Sequence, residues 1–333
     1  MQRTDYFISA FVPQYHSFEK DVFKRANETF ILDGFQRQKF SNLLENIADS
    51  INTPLEVIHH PLDNQTIGLF SPYSKRLILL KDVFFNHVLS PLPLYAKKEF
   101  NDMHIALKEA QECFKSAHDI HDQKEKIYIK EMDFEFLDIL SHAVAERILR
   151  NTTLKNFAEE NYVERYFGAP LIQGNFDYID ALTENISVRY LIKGRPGSGK
   201  STFLKKIADT LSERGYLIER YHCSMDINSL DMIICRELDV ALFDCTAPHE
   251  HKKIEGKDEV IDLFKECLPQ DIDMRHREEI EKLNHAYKEK INAGQAALND
   301  LYLKEEIYVN KLKQPTTDEY RKIKDNLYRF ISN

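Results

Sequence analysis

Apolar residues along this chain fall into two arrangements, short unbroken runs and stripes at three- and four-residue steps. Val188-Arg-Tyr-Leu-Ile192 is a run, and Phe203, Leu204, Ile207, Ala208 and Leu211 follow at helical spacing up to Gly215. The pair predicts a strand and an amphipathic helix joined by the segment between them. Leu217 to His222 predicts a second strand. Asp239-Val-Ala-Leu-Phe-Asp244 predicts a third, apolar enough to be buried on both faces of a parallel sheet. Between these two, the stretch around Ser229-Leu-Asp-Met-Ile-Ile234 reads as a short helical or irregular piece. Arg275 to Lys313 has few breakers and predicts a long amphipathic helix, with a bend at Gly294. Pro315 ends it before a last helix over Asp318 to Phe330.

The same order occurs earlier in the chain. A shift of 160 positions lays Tyr6-Phe7 on Tyr166-Phe167, and Thr29-Phe-Ile-Leu-Asp-Gly34 on Arg189-Tyr-Leu-Ile-Lys-Gly194. Ser41, Leu44, Ile47, Ala48 and Asp49 then fall on Ser201, Leu204, Ile207, Ala208 and Asp209. Three more positions align Leu55-Glu-Val-Ile-His59 with Ile218-Glu-Arg-Tyr-His222, and Leu77-Ile-Leu-Leu80 with Val240-Ala-Leu-Phe243. Late in each part, Glu125-Lys-Ile-Tyr-Ile129 resembles Glu305-Glu-Ile-Tyr-Val309. Long helices over Lys97 to Lys130 and Arg275 to Lys313 correspond, as do closing helices over Asp133 to Leu149 and Asp318 to Phe330. Two halves, 1–150 and 151–333, are expected. Each is a three-layer α/β unit with a parallel sheet of three strands, and the long helices pack within the chain or project to dock a protein partner.

The joint between Ile192 and Phe203 carries the chemistry. Gly194-Arg195-Pro196-Gly197-Ser198-Gly199-Lys200-Ser201-Thr202 fits G-x-x-x-x-G-K-[ST], with a strand before and a helix after, the context a phosphate-binding loop needs. Glycines let the backbone wrap a polyphosphate, and the loop amides point at the helix N-terminus, where the dipole favours anions. Lys200 is placed to reach the β- and γ-phosphates, and the Ser201 hydroxyl to ligate Mg2+. In the first half the corresponding residues are Arg37, Lys39 and Phe40 for Gly197, Gly199 and Lys200. Phe40 cannot replace an ammonium, so the first half is expected to keep the fold and lose the phosphate site. Arg37 and Lys39 binding phosphate from a different loop shape is the alternative.

Asp244 ends an apolar run at the C-terminal end of its strand, the position from which a carboxylate holds Mg2+. Its aligned counterpart is Lys81, with Asp82 one residue on. No acid follows Asp244 directly; Cys245-Thr246-Ala-Pro-His249 stands there instead. The group that orients an attacking water is therefore open among His249, Thr246, Asp226, Asp231 and Glu237. His222, Asp226 and His249 are expected to converge on the catalytic edge, since strand C-terminal ends line the ligand crevice of such sheets. His222, Cys223, Cys245 and His249 match no familiar zinc spacing.

Bulk properties narrow the class further. The chain has 333 residues, 43% hydrophobic and 30% charged, which suits globular domains with a sizeable core. A net charge of −9 argues against a general nucleic-acid-binding surface. The N-terminus lacks the apolar run of a signal peptide, and no stretch is long and apolar enough to span a bilayer. Five cysteines, an odd number with no C-x-x-C, suit a reducing cytoplasm.

Gly194 to Thr202, Tyr221-His-Cys-Ser-Met-Asp-Ile-Asn-Ser-Leu-Asp231 and Phe243-Asp-Cys-Thr-Ala-Pro-His249 resemble a bacterial family, largely from Firmicutes, of tandem P-loop proteins described as ATPases or nucleotide-kinase-like and of unknown role. The resemblance implies a P-loop NTPase fold binding ATP with Mg2+, and supplies no substrate. In that family the first half usually keeps an intact loop; here it does not. The expected function is Mg-dependent ATP hydrolysis at one site in the second half. A small-molecule or nucleotide kinase and a nucleotide-regulated binding protein are the alternatives.

Overall fold

The computed structural model describes residues 3–32, 37–80, 97–150, 152, 161–247, 249–310 and 315–332. The first elements are β1 (Arg3–Phe7), β2 (Ser9–Ala10), β3 (His16–Ser17), α1 (Glu19–Arg25), β4 (Glu28–Leu32), α2 (Arg37–Ser50), β5 (Leu55–His59), β6 (Thr66–Ser71) and β7 (Arg76–Leu80). Two helices follow, α3 (Lys97–Ile129) and α4 (Phe134–Leu149). Next come β8 (Tyr162–Tyr166), β9 (Gly168–Leu171), β10 (Gly174–Asp177), α5 (Ile179–Thr183), β11 (Val188–Lys193), α6 (Lys200–Glu213), β12 (Ile218–His222), β13 (Leu230–Cys235), β14 (Val240–Asp244) and β15 (Asp258–Asp262). The chain ends with α7 (Leu263–Cys267), α8 (Ile272–Arg275), α9 (Arg277–Val309) and α10 (Thr317–Ser332).

The protein is α/β, and it divides into two compact units that interleave in sequence. One unit holds Met1–Glu112, Gly168–Tyr178 and Ala293–Asn333; the other holds Cys113–Phe167 and Ile179–Asn292. Residues 113–150 thus belong with the Gly194–Thr202 loop, and 293–333 belong with the N-terminal strands.

In the first unit β1 pairs parallel with β5, β5 antiparallel with β6, β6 antiparallel with β7, and β7 parallel with β4. The second unit follows the same pattern with β8, β12, β13, β14 and β11, and adds β15 parallel to β11. Both sheets carry an irregularity at the same place, between Ile58 and His59 and between Tyr221 and His222. Helix lengths agree too: α2 and α6 have 14 residues, α3 and α9 33, α4 and α10 16. The two units share one plan, built twice.

The sheets are mixed, not purely parallel, and Leu230–Cys235 is a strand instead of a helical or irregular piece. Connection length explains this. A parallel crossover needs roughly a dozen residues or more. Only residues 223–229 separate β12 from β13, and residues 236–239 separate β13 from β14. The second turn closes through Asp239 in the left-handed region at φ 55°. Met232, Ile233, Ile234 and Cys235 are all buried in the resulting central strand.

In the second unit α6 lies on β13, burying Phe203, Leu204, Ile207, Ala208 and Leu211 with Leu137, Val144 and Ala145 of α4 in one apolar cluster. Complete burial of each large apolar side chain contributes about 1.5–3 kcal/mol. Asp133 starts α4 by accepting the N–H of Phe136 at 2.9 Å. The apolar stripe of α3 (Met103, Ala106, Ala110, Phe114, Ala117) is buried. Gly294 lies inside an unbroken α9. Among the described residues no helix is long and apolar enough to cross a membrane.

Candidate functional site

The site begins at the backbone of Gly194–Thr202. Gly197 and Gly199 take φ 75° and 78°, a region that L side chains rarely enter, and Gly199 is the residue on which α6 starts. Space is short as well. A Cβ on Gly197 would lie 2.6 Å from the carbonyl oxygen of Glu125, and one on Gly199 would lie 2.7 Å from Leu137 Cδ2. The loop is held by Ser198 N–H to Arg195 O at 3.1 Å and by Phe203 N–H to Gly199 O at 2.8 Å. Lys200 Nζ donates to Arg195 O at 3.1 Å and stands 3.6 Å from Asp244 Oδ2. Loop, lysine and strand-end carboxylate are therefore in one place, as their spacing in the sequence anticipates.

Asp244 is further fixed by Thr246, whose N–H and hydroxyl both donate to Oδ1, at 3.0 and 2.5 Å. Ser201 Oγ accepts the N–H of Leu230 at 2.9 Å, which ties the first turn of α6 to β13. Met232 pairs with Phe243, so Asp231 lies one ladder step on, level with Asp244. Burial, and then the charge of Asp244, push the Asp231 carboxyl up to about 6, while His249 and Lys200 oppose the shift. His249 packs its ring edge-on to Phe167, centroids 4.9 Å apart.

His222 ends its strand at the same end of the sheet, paired with Leu230, but its ring is engaged in other contacts. Its Nε2 meets Glu164 Oε2 at 2.6 Å and its Nδ1 meets the carbonyl of Ile227 at 2.7 Å. Both ring nitrogens are thus engaged within the framework. The first unit repeats the arrangement without a phosphate loop: His59 Nε2 meets Asp5 Oδ1 at 2.8 Å, and Nδ1 meets Asn64 O at 3.2 Å. A feature present in both units belongs to the shared framework, pinning two strands and the bulge turn. Asp226 likewise shapes a turn, accepting Asn228 N–H at 2.9 Å.

The strand registers refine the alignment of the units. Phe7 faces His59 as Tyr166 faces His222, one residue away from the match of Phe7 with Phe167. Leu32 pairs with Leu80 as Ile192 pairs with Asp244, so Leu80, not Lys81, stands at the aspartate's position. Lys81 and Asp82, like residues 33–36, lie outside the described residues. Where α6 begins at Lys200, α2 is already helical at Arg37, three residues before the equivalent Phe40. Phe40 is fully buried with its ring 5.8 Å from that of Tyr320. Arg37 donates to Asp63 at 2.6 Å and to both oxygens of Glu305 at 2.5 and 2.9 Å. With two carboxylates against its guanidinium, Arg37 is committed to internal ion pairs.

Helix α3 adds residues that motif reading missed. Glu125 Oε1 accepts the Gly197 N–H at 3.2 Å. Burial, and then Asp122, raise its pKa, although the Gly197 bond and Lys200 act the other way. Arg195 donates to Asp273 at 2.8 and 3.0 Å, and Tyr128 donates to the other oxygen of Asp273 at 2.9 Å. The resemblance between the Glu125 and Glu305 segments was the available signal, yet only folding shows that both glutamates face a loop position.

The oxygen donors at Ser201 and Asp244 are hard ligands of the type Mg2+ takes, with Asp244 Oδ1 held by Thr246 and Oδ2 3.6 Å from the Lys200 ammonium. The residues present fit that ion. Compared with known proteins, the chain matches no family model, no curated protein and no solved structure.

Proposed function

We propose that the chain is a P-loop NTPase that binds a magnesium nucleoside triphosphate, ATP in the first instance, at Gly194–Thr202 and hydrolyses it at this single site. The observation that carries the reading is the joint geometry of two left-handed glycines, the Lys200 ammonium and the Asp244 carboxylate 3.6 Å from it. Loop amides and Lys200 would bind the phosphates; Ser201 and Asp244 would hold Mg2+, which would supply charge neutralisation for the transferred phosphoryl group.

Asp231 is the proton acceptor in this reading. Its place level with Asp244 across the β13–β14 ladder suits a carboxylate that receives a proton from an attacking water. The water oxygen bonds to the γ-phosphorus and its proton passes to Asp231. The bond from that phosphorus to the bridging oxygen breaks, and its electron pair stays on the diphosphate. Leu80, buried Phe40 and the committed Arg37 support a single site, in the second unit. No N-K-x-D tetrapeptide occurs in the chain, which favours adenine over guanine. No disulfide joins any of the five cysteines, which agrees with a cytoplasmic setting.

The test is Mg·ATP binding and phosphate release by the wild type beside Lys200→Ala and Asp231→Asn. Binding lost in Lys200→Ala, and turnover lost with binding kept in Asp231→Asn, are expected. Equal binding by Lys200→Ala and wild type would refute the reading. A second reading, transfer of phosphate to an acceptor, is favoured by one feature, the cationic cavity beside Arg195.

A further inference from the structure

Beside the loop, α3, α8 and the first turns of α9 line an open cavity of about 560 Å³, bounded on the loop side by Arg195. Its charges do not cancel. Arg195 is paired with Asp273 at 2.8 Å, and Arg277 with Glu281 at 3.0 Å. Lys124 has only a neutral partner at hydrogen-bond distance, donating to Asn284 Oδ1 at 2.7 Å. No carboxylate lies within ion-pair distance of its ammonium among the described residues. Burial, and then the nearby Arg195, lower its pKa; Asp273 opposes the shift and Lys200 adds to it. Met274 and Ile280 add an apolar part to the wall.

We propose that this cavity is a binding site for a small organic anion, with Lys124 supplying the charge that holds it. Continuity with the loop gives the site its meaning. The carbonyl of Arg195 accepts from Lys200, while its guanidinium faces the cavity; Glu125, next to Lys124, reaches Gly197. An anion on Lys124 sits beside the loop, where a second substrate would meet the triphosphate. The placement as a second substrate rests on the nucleotide reading; anion binding by itself does not. A charge-assisted bond from a partly buried ammonium is among the stronger polar contacts available.

The test is a titration with inorganic phosphate, followed by 31P NMR, on the full chain carrying Lys200→Ala, so that the loop lysine does not contribute. Saturable binding is expected there, weakened about tenfold or more by adding Lys124→Met and retained with Lys124→Arg. Nucleotide binding by Lys124→Met alone reports on the loop and keeps failure of the two readings apart. Should Lys124→Met lower the melting temperature, Asn284→Asp decides, because a carboxylate there neutralises Lys124 and must abolish phosphate binding. Absence of saturable binding in Lys200→Ala, or equal binding with and without Lys124, overturns the proposal.

Discussion

Glu125 Oε1 accepts the N–H of Gly197 at 3.2 Å, a carboxylate seated on a loop amide. In the other unit Glu305, also three residues before a tyrosine in an Ile-Tyr pair, takes the guanidinium of Arg37 at 2.5 and 2.9 Å. Arg37 stands where Gly197 stands in the second unit. Each long helix thus brings a glutamate to the start of a sheet-backed helix. Arg37 supplies a permanent cation and keeps Glu305 buried. Gly197 supplies one N–H, so on the proposed function Glu125 holds the place of a phosphate oxygen and an incoming triphosphate would have to displace it.

Glu125→Ala is therefore expected to tighten nucleotide binding, by roughly fivefold for about 1 kcal/mol of lost competition. Among the described residues Asp122, Lys200 and Asp226 are the charges that act on Glu125, and the His121 ring lies 3.8 Å from its carboxylate. Because its pKa is raised, acid neutralises Glu125 early, and affinity should rise as pH falls through that range. Glu125→Gln should lack this component. Calorimetry across mildly acid to neutral pH checks both; weaker binding by Glu125→Ala would mean that the carboxylate serves the bound state.

Phe40→Ala should destabilise the protein by about 3–5 kcal/mol, the cost of emptying a buried aromatic site. It should leave the number of bound nucleotides at one. Thermal melts and binding stoichiometry read the two effects separately. Restoring nucleotide binding in the first unit with Phe40→Lys is not expected, because Leu80 supplies no carboxylate.

His222→Ala and His59→Ala should behave alike. Each strips a buried ring from a carboxylate and a carbonyl, at about 3 kcal/mol. Turnover per folded molecule should stay within a small factor of wild type in both. A selective loss of turnover with unchanged stability in His222→Ala would assign the histidine a part in the reaction instead of the framework.

Arg189 and Asp258 form a buried pair, with Nε and Nη2 both 2.7 Å from the carboxylate. Burial favours the protonated acid, but the guanidinium outweighs it and holds the Asp258 pKa below its usual value. Asp63 is depressed too, burial being overcome by His60 and Arg37. For both, the folded pKa lies below the unfolded one. Their contribution is then complete above about pH 4 and lost as pH falls toward the folded values. Asp258→Asn should cost about 3–5 kcal/mol at neutral pH and flatten the acid limb of a stability–pH curve measured by denaturant titration.

By itself the sequence determined what is local. Glycines at 197 and 199 specify a backbone that few residues can adopt. Apolar periodicity specifies α6 and the run from Val240 to Phe243, and Arg37, Lys39 and Phe40 show that the first half departs from the motif at the positions of Gly197, Gly199 and Lys200. Even the repeat was visible, because each copy buries the same helix face. Only the tertiary structure decided which strands run antiparallel, since a stretch such as Leu230–Ile234 is apolar enough for several roles until short connections force a hairpin. It also showed that His222 is bound within the framework, and placed Leu80 opposite Leu32. The deepest difference concerns α3. Glu125 and Lys124 are some 70 residues from Gly197 and Arg195, in the other half of the sequence. A contact of that range leaves no periodic trace, because it is made by the packing of whole elements and not by the spacing of neighbours along the chain.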